Sequence, residues 1–192
     1  MMKMPKLLIV YLLIAWPIIM FFLITTSTGK VSISYDGFAI DNNSNIYLGK
    51  NSAIEVLNYD GKILRNISPY TSRGYKFTIT SNNQIKISTG NYLYLTDLSG
   101  NLISKKEITD YKDDELISVN RYKFVTSDGT QYVMKNHFLR TCIYQMHGKQ
   151  KTIVYKMPVF DYIVKLLIIA CFLGLIIIVP IVIFKSRRTV KS

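Results

Sequence analysis

The sequence predicts a membrane-anchored, all-β fold: antiparallel four-stranded repeats flanked by an N-terminal and a C-terminal transmembrane α-helix. Three observations lead there. Apolar blocks stand at both ends of the 192 residues, the polar stretch between them repeats with a period of 39, and positive charge collects on the two tails. The length suits one ordinary domain and its anchors.

A hydrocarbon core ~30 Å thick takes roughly 20 apolar residues in helical form. Leu7–Ile24 is near the short end of that range, and Thr25 and Thr26 extend it, because their hydroxyls can bond back to the helix's own carbonyls. Ile163–Phe184 is longer and carries no charge after Lys165. Neither block has the polar stripe of a water-soluble core helix. The spans are therefore placed at 7–26 and 162–184, with short tails at 1–6 and 185–192 and the β domain at 30–160. A cleaved leader shares the basic start and apolar centre of the first block. Its apolar core is shorter, however, and only the loose Thr26-Ser27-Thr28-Gly29 stands where a small-x-small cleavage site belongs. Pro17 and Pro180 read as local kinks, and Gly174 is a weak packing signal without a GxxxG face.

Orientation follows from charge. Lys3 and Lys6 precede the first span, while Lys185, Arg187, Arg188 and Lys191 follow the second, and neither tail holds an acid. Such residues stay on the cytoplasmic side, so both termini are expected in the cytoplasm and the central domain outside a cell membrane. Asp161 and Lys165, four apart with the acid first, mark the outer end of the second helix, where Lys165 snorkels to the headgroups. The net charge of +12 is thus partly a topology signal. Cys142 and Cys171 fall in different phases and are not expected to pair. The bias toward Ile, Lys, Asn and Tyr is that of an AT-rich, bacterial-type genome.

A shift of 39 residues lays Phe38-Ala-Ile-Asp-Asn-Asn-Ser-Asn-Ile46-Tyr-Leu48 on Phe77-Thr-Ile-Thr-Ser-Asn-Asn-Gln-Ile85-Lys-Ile87, and Gly61 on Gly100, without a gap. A more eroded third copy starts at Phe124, with Gly148 falling on Gly61 after one inserted residue. The copies span about 35–70, 75–110 and 122–157. Each reads as four short strands with an Asn/Ser/Gly turn between the first two and a glycine hairpin between the last two. A plain antiparallel meander with a chance period is the competing reading.

Phe38-Ala-Ile-Asp followed by Asn45-Ile-Tyr-Leu, and Ile54-Glu-Val-Leu-Asn-Tyr-Asp-Gly-Lys, resemble the blades of NHL-type and related six-bladed β-propellers. The resemblance covers Tyr35 to Lys156, clear in the first copy and poor in the third. The acid that ends the first strand is Asp41 in the first copy, but Thr80 and Ser127 stand in its place in the others. It implies a partial propeller: three blades are half a ring, and a second copy or a related partner is expected to close it.

No Ser/His/Asp elbow, phosphate loop or dinucleotide fingerprint is present, so no catalytic residue and no cofactor is assigned and the protein is not expected to be an enzyme. The acidic run Asp110, Asp113, Asp114 and Glu115 lacks calcium-loop spacing and reads as a solvated loop between repeats. His137, Cys142 and His147 lack the paired spacing of zinc ligands, and no metal is expected. The most suggestive charge feature is the third copy. Between Thr130 and Phe160 stand Lys135, Arg140, Lys149, Lys151 and Lys156, no acid, and the aromatics Tyr132, Phe138, Tyr144 and Tyr155. In the cytosol that mixture would suggest nucleic acid. Outside a membrane it fits anionic headgroups or wall polymers, and no nucleic acid is expected. Two functions remain open: a non-catalytic scaffold that recognises a protein or an envelope component, or an accessory subunit of a membrane transport or secretion complex pairing through its helices.

Overall fold

The computed structural model describes residues 6–27, 31–71, 74–110, 112, 114–116, 119–126, 128–148 and 150–189. They fall into two compact units, Ser34–Pro158 and the segments on either side of it.

In the flanking unit, α1 runs over Lys6–Ser27 and α2 over Val159–Thr189. Ile9–Thr26 and Val159–Ile178 are long and apolar enough to cross a membrane by length and composition. The two helices are antiparallel. Tyr11 Oη donates to Cys171 O at 2.6 Å near one end, while Phe22 and Val31 pack on Val164 and Ile168 near the other. Tyr11, Ala15, Ile19, Phe22 and Thr26 recur at helical spacing, and each is buried or half-buried. Most other apolar residues of α1 face outward, including Leu13, Trp16 and Phe21. Gly174 leaves room for the Tyr11 ring, which a Cβ there would strike. The hydroxyls of Thr25 and Thr26 bond to Phe22 O at 3.0 and 2.9 Å. Asp161, buried, accepts from Ser32 N at 3.2 Å. Helix α2 continues five residues past the expected span end at Phe184. Lys and Arg are good helix formers, so nothing stops the helix where its apolar stretch ends.

The other unit contains three four-stranded antiparallel sheets, each in simple chain order. Strands β1 (Gly37–Ile40), β2 (Ile46–Gly49), β3 (Ile54–Leu57) and β4 (Ile63–Ile67) form the first. The second holds β5 (Lys76–Ile79), β6 (Gln84–Ser88), β7 (Tyr92–Asp97) and β8 (Leu102–Glu107), and the third β9 (Lys123–Val125), β10 (Gln131–His137), β11 (Arg140–His147) and β12 (Gln150–Lys156). These sheets are consistent with the blade-like repeats read from the sequence. The first sheet's β1 and β2 are buried throughout, whereas the last strands β4, β8 and most of β12 face solvent. In every sheet the pairing of third strand to fourth slips by one residue, at Val56/Leu57, Leu95/Thr96 and Ile143/Tyr144. A bulge of this kind bends and twists the outer edge, which blunts it as a template for other strands.

Equivalent turns close the first two strands of each sheet. Ser44, Asn83 and Gly129 all take positive φ (61°, 53° and 83°), and their N–H groups donate to the carbonyls of Asp41, Thr80 and Thr126. This pairing corrects the third copy's register. Val125 opposes Gln131 as Ile40 opposes Ile46, so Phe124 stands where Ala39 does and Thr126, not Ser127, stands at the position of Asp41. Ser127 lies outside the described residues. A one-residue slip sends a side chain to the other face of a strand. On that face Phe124 packs against the common core, 6.4 Å from the Phe38 ring.

That core joins the first two sheets. Tyr47, Ile54, Val56, Ile67, Tyr75, Phe77, Ile85 and Ile87 form one buried cluster. Gly100, at φ +94°, brings the β7–β8 turn against Ile67 of the first sheet; a Cβ there would lie 2.9 Å from Ile67 Cγ2. Tyr75 Oη ties the second sheet to the first by donating to Lys50 O and Ala53 O at 2.8 and 3.0 Å. The third sheet meets the first at its innermost strand, since β1 packs against both β5 and β9. The segment between β8 and β9 leads from the second sheet to the third. It lies along the second sheet, with Asp114 accepting from Ser88 Oγ and Lys76 Nζ donating to Leu116 O, before Arg121 reaches Asp36 beside β1.

Candidate functional site

A groove of about 210 Å³ lies on the outer face of the third sheet, lined by Val133, Lys135, His137, Tyr144, Met146 and Lys151, with Asn136 at its margin. Strand register explains the gathering. Directly opposed residues of an antiparallel pair project to the same face. Val133 opposes Tyr144 and Tyr144 opposes Ile153, while Gln131, Met146 and Lys151 form the next row and Lys135, Cys142 and Lys156 the one beyond. The alternate residues Tyr132, Met134, Ile143 and Tyr155 turn to the other face and are buried.

Of the five basic residues read from the sequence, the structure therefore places Lys135 and Lys151 at the groove itself. Lys156 is exposed in the same row as Lys135, but outside the groove's lining. Arg140 is turned to structural work: its Nε donates to Met157 O at 2.8 Å. Lys149 lies outside the described residues, as do Lys3 and Lys191. Lys6, Lys165, Lys185, Arg187 and Arg188 fall within the bounds of α1 and α2.

The groove carries positive charge beside an aromatic ring and a thioether, with no acid among its lining residues. Tyr144 holds its proton more tightly than an ordinary phenol, through desolvation and the neighbouring Cys142. The groove thus joins positive charge to a partly apolar floor.

A second cavity, of about 180 Å³, was not foreseen. It lies where the first strands of the three sheets end, between the equivalent residues Ile40, Ile79 and Val125, with Phe124 beside them. Its rim is neutral: Asn42, Thr80, Ser81 and Thr126. Thr80 Oγ1 accepts from Gln84 N, and the Thr126 hydroxyl bonds to Asp128 and to Thr130 O. Equivalence of the three turns was the available signal, hidden by the register error at Phe124.

The acidic run departs from the solvated loop expected at one residue: Asp110 and Glu115 are exposed, but Asp114 is not. Asp114 is buried, accepting from Ser88 Oγ and Leu116 N at 2.9 Å each, because it anchors the β8–β9 segment to the second sheet. Glu115 pairs with Lys86 at 2.5 Å, which holds its carboxyl below the usual glutamate range. Asp113 lies outside the described residues. Among the described residues no three His, Cys, Asp or Glu side chains are placed to share a metal ion. His147 and Cys142 are five residues apart on β11, roughly 17 Å, and His137 is at the far hairpin end.

Asp41 is a buried acid with four hydrogen-bond donors. It accepts from Asn43 N, Asn45 N and Asn45 Nδ2 at 2.9 Å and from Tyr47 Oη at 3.2 Å. Burial and that carboxylate push the Tyr47 phenol well above its ordinary range. The propeller-like acid is here a fold-holding group.

No family model matches the chain, and no curated protein does. Among solved structures, virginiamycin B lyase from Staphylococcus aureus aligns over 65% of this chain and 42% of its own, at 18% identity and a TM-score of 0.34. A protein of unknown function from Bacteroides caccae aligns over 67% of this chain and 62% of its own, at 12% identity and a TM-score of 0.33. The chain spans less than two thirds of either. Similarity this loose says nothing about chemistry.

Proposed function

We propose that the chain is a two-pass membrane protein that holds its β domain outside a cell membrane, where the outer face of the third sheet binds an anionic component of the envelope without catalysis. The groove carries this reading: Lys135 and Lys151 flank Tyr144 and Met146, in a stretch from Thr130 to Phe160 with no acid. The antiparallel helices, apolar on the sides turned away from each other, support the anchoring; as spans they would bring both tails out on one side. The outer strands support an anionic partner over a second copy, because each carries net positive charge: Arg65 on β4, Lys105 and Lys106 against Glu107 on β8, and Lys151 and Lys156 on β12. Two such edges repel each other.

The test is binding of poly(glycerol phosphate) to the full chain in zwitterionic nanodiscs. Each basic residue near a charged surface contributes ~1 kcal/mol, and about 1.4 kcal/mol is a factor of ten. Lys135→Glu with Lys151→Glu is expected to weaken binding by at least about tenfold and to flatten its salt dependence. Unchanged binding in the double variant overturns the reading.

A further inference from the structure

The hairpin between β10 and β11 breaks two rules at once. His137 pairs with Arg140, so the turn consists of two residues, and both take positive φ: Phe138 at 46° and Leu139 at 67°. Such turns are ordinarily made of Asn-Gly or Gly-Gly, because a side chain beyond Cβ crowds the backbone there. The same two residues also stand out from the protein, Phe138 at 82% exposure and Leu139 at 45%. A bulky apolar pair in a strained, solvent-facing turn is costly to folding twice over. Strain of this kind persists where a site uses it.

What surrounds the turn indicates its use. The His137 ring stands edge-on to Phe138 at 4.8 Å, Arg140 follows directly, and Lys135 is two residues before His137. The turn end of the hairpin is tied to the end of the sheet that leads into α2. Met157 N donates to Thr141 O at 2.8 Å, and Arg140 Nε donates to Met157 O at 2.8 Å. Met157 is two residues from Val159, where α2 begins, and two extended residues reach at most about 7 Å. A chain that enters a bilayer at α2 therefore carries this end of the third sheet to the bilayer surface.

We propose that Phe138 and Leu139 are an interfacial anchor, inserted between lipid headgroups and acyl chains, with Lys135 and His137 at headgroup level. Aromatic and aliphatic side chains with basic neighbours partition to that layer, where the ring is dry and the cations meet phosphates. The inference rests on the membrane reading of the helices but not on the groove's ligand. It gives the third sheet a lipid contact of its own, which holds the groove beside the membrane.

Fluorescence depth measurement in reconstituted vesicles tests it with the full chain. The sequence has one tryptophan, Trp16 in α1. In the unsubstituted chain, quenching of Trp16 by lipids brominated on their acyl chains reports whether the helices are in the bilayer at all. In a Trp16→Phe background, Phe138→Trp is expected to emit to the blue of Tyr59→Trp and to be quenched by shallowly brominated lipid. Tyr59, 74% exposed in the β3–β4 hairpin, is the water-facing reference. Emission and acrylamide quenching equal to those of Tyr59→Trp overturn the anchor. Blue emission without bromolipid quenching also overturns it, since a protein then covers the tip. If Trp16 is quenched and Trp at 138 is not, the anchor alone fails; if Trp16 is not quenched, the membrane reading fails. The groove's polymer binding is measured separately, on the Lys135 and Lys151 variants.

Discussion

The first two sheets and the third share a four-stranded plan, a left-handed turn after the first strand and a bulge before the last, yet packing treats them differently. Sheets one and two are pressed into one core, and their sequences repeat without a gap: Phe38 with Phe77, Ile46 with Ile85, Ile54 with Leu93. The third adds little more than Phe124 to that core. Freed from that fit, it has longer strands, a first strand of only three residues, an exposed basic face and a hairpin tip of Phe138 and Leu139. Repeat fidelity here follows how much of a sheet enters the shared core. Erosion of the repeat marks where surface chemistry was possible.

The comparison breaks most easily at the core. Ile85→Ala, at a fully buried position shared by two sheets, is expected to cost about 2–5 kcal/mol. Ile153→Ala on β12, 51% exposed, is expected to stay within about 0.5 kcal/mol. Urea unfolding of the detergent-solubilised chain, followed by its β-sheet circular dichroism, measures both, and equal losses would dissolve the distinction. A smaller effect of opposite sign is expected at the bulge of the second sheet. The Thr96 hydroxyl is buried there, and among the described residues it has no hydrogen-bond partner. Thr96→Val keeps the shape and removes the stranded group, so the same unfolding experiment should show a gain of about 1 kcal/mol.

Smallest are two pH effects that sharpen how the third sheet's approach segment is held. Glu115 has its carboxyl lowered by the Lys86 hydrogen bond and charge. Its contribution to stability is full above the unfolded glutamate value of about 4.3 and is lost as pH falls through the lowered folded value. Asp36 behaves oppositely, raised by burial against the opposing charge of Arg121. It favours the fold increasingly as pH falls through its raised folded value, and fully below about 3.9. Melting temperatures between pH 3 and 7 should therefore show Glu115→Gln costing stability at neutral pH but not at pH 3. Asp36→Asn should give a gain at neutral pH that disappears at pH 3. Both are small because the Glu115 pair is exposed to solvent and Asp36 keeps its cation.

Much of this was legible in order of residues. Two apolar blocks, a 39-residue period and glycines at the hairpins are local or periodic signals, and each strand needs only alternation and a turn to announce itself. The basic content of the third copy was equally plain, and alternation along β10, β11 and β12 was enough to group part of it. What the sequence could not show was which equivalents meet. Phe124 looked like Phe38 because both are phenylalanines, but a strand's face depends on register, and register is set by the partner strand through Val125 and Gln131. Arg140 looked like surface charge until Met157 O was brought beside it by the β11–β12 pairing. Asp114 looked like a solvated acid until the β8–β9 segment folded back onto Ser88.

By itself, then, the sequence determined that two apolar helices flank a domain of short antiparallel strands, because helix length and strand period are written within each segment. Only the tertiary structure decided that the inner strand of the first sheet would touch both other sheets, and that Lys135 and Lys151 would share a groove with Tyr144. It also decided that Phe138 and Leu139 would stand out at the end of the third sheet where Met157 is tied to Thr141 and Arg140. Those outcomes depend on contacts between residues far apart in the chain, which no local pattern encodes.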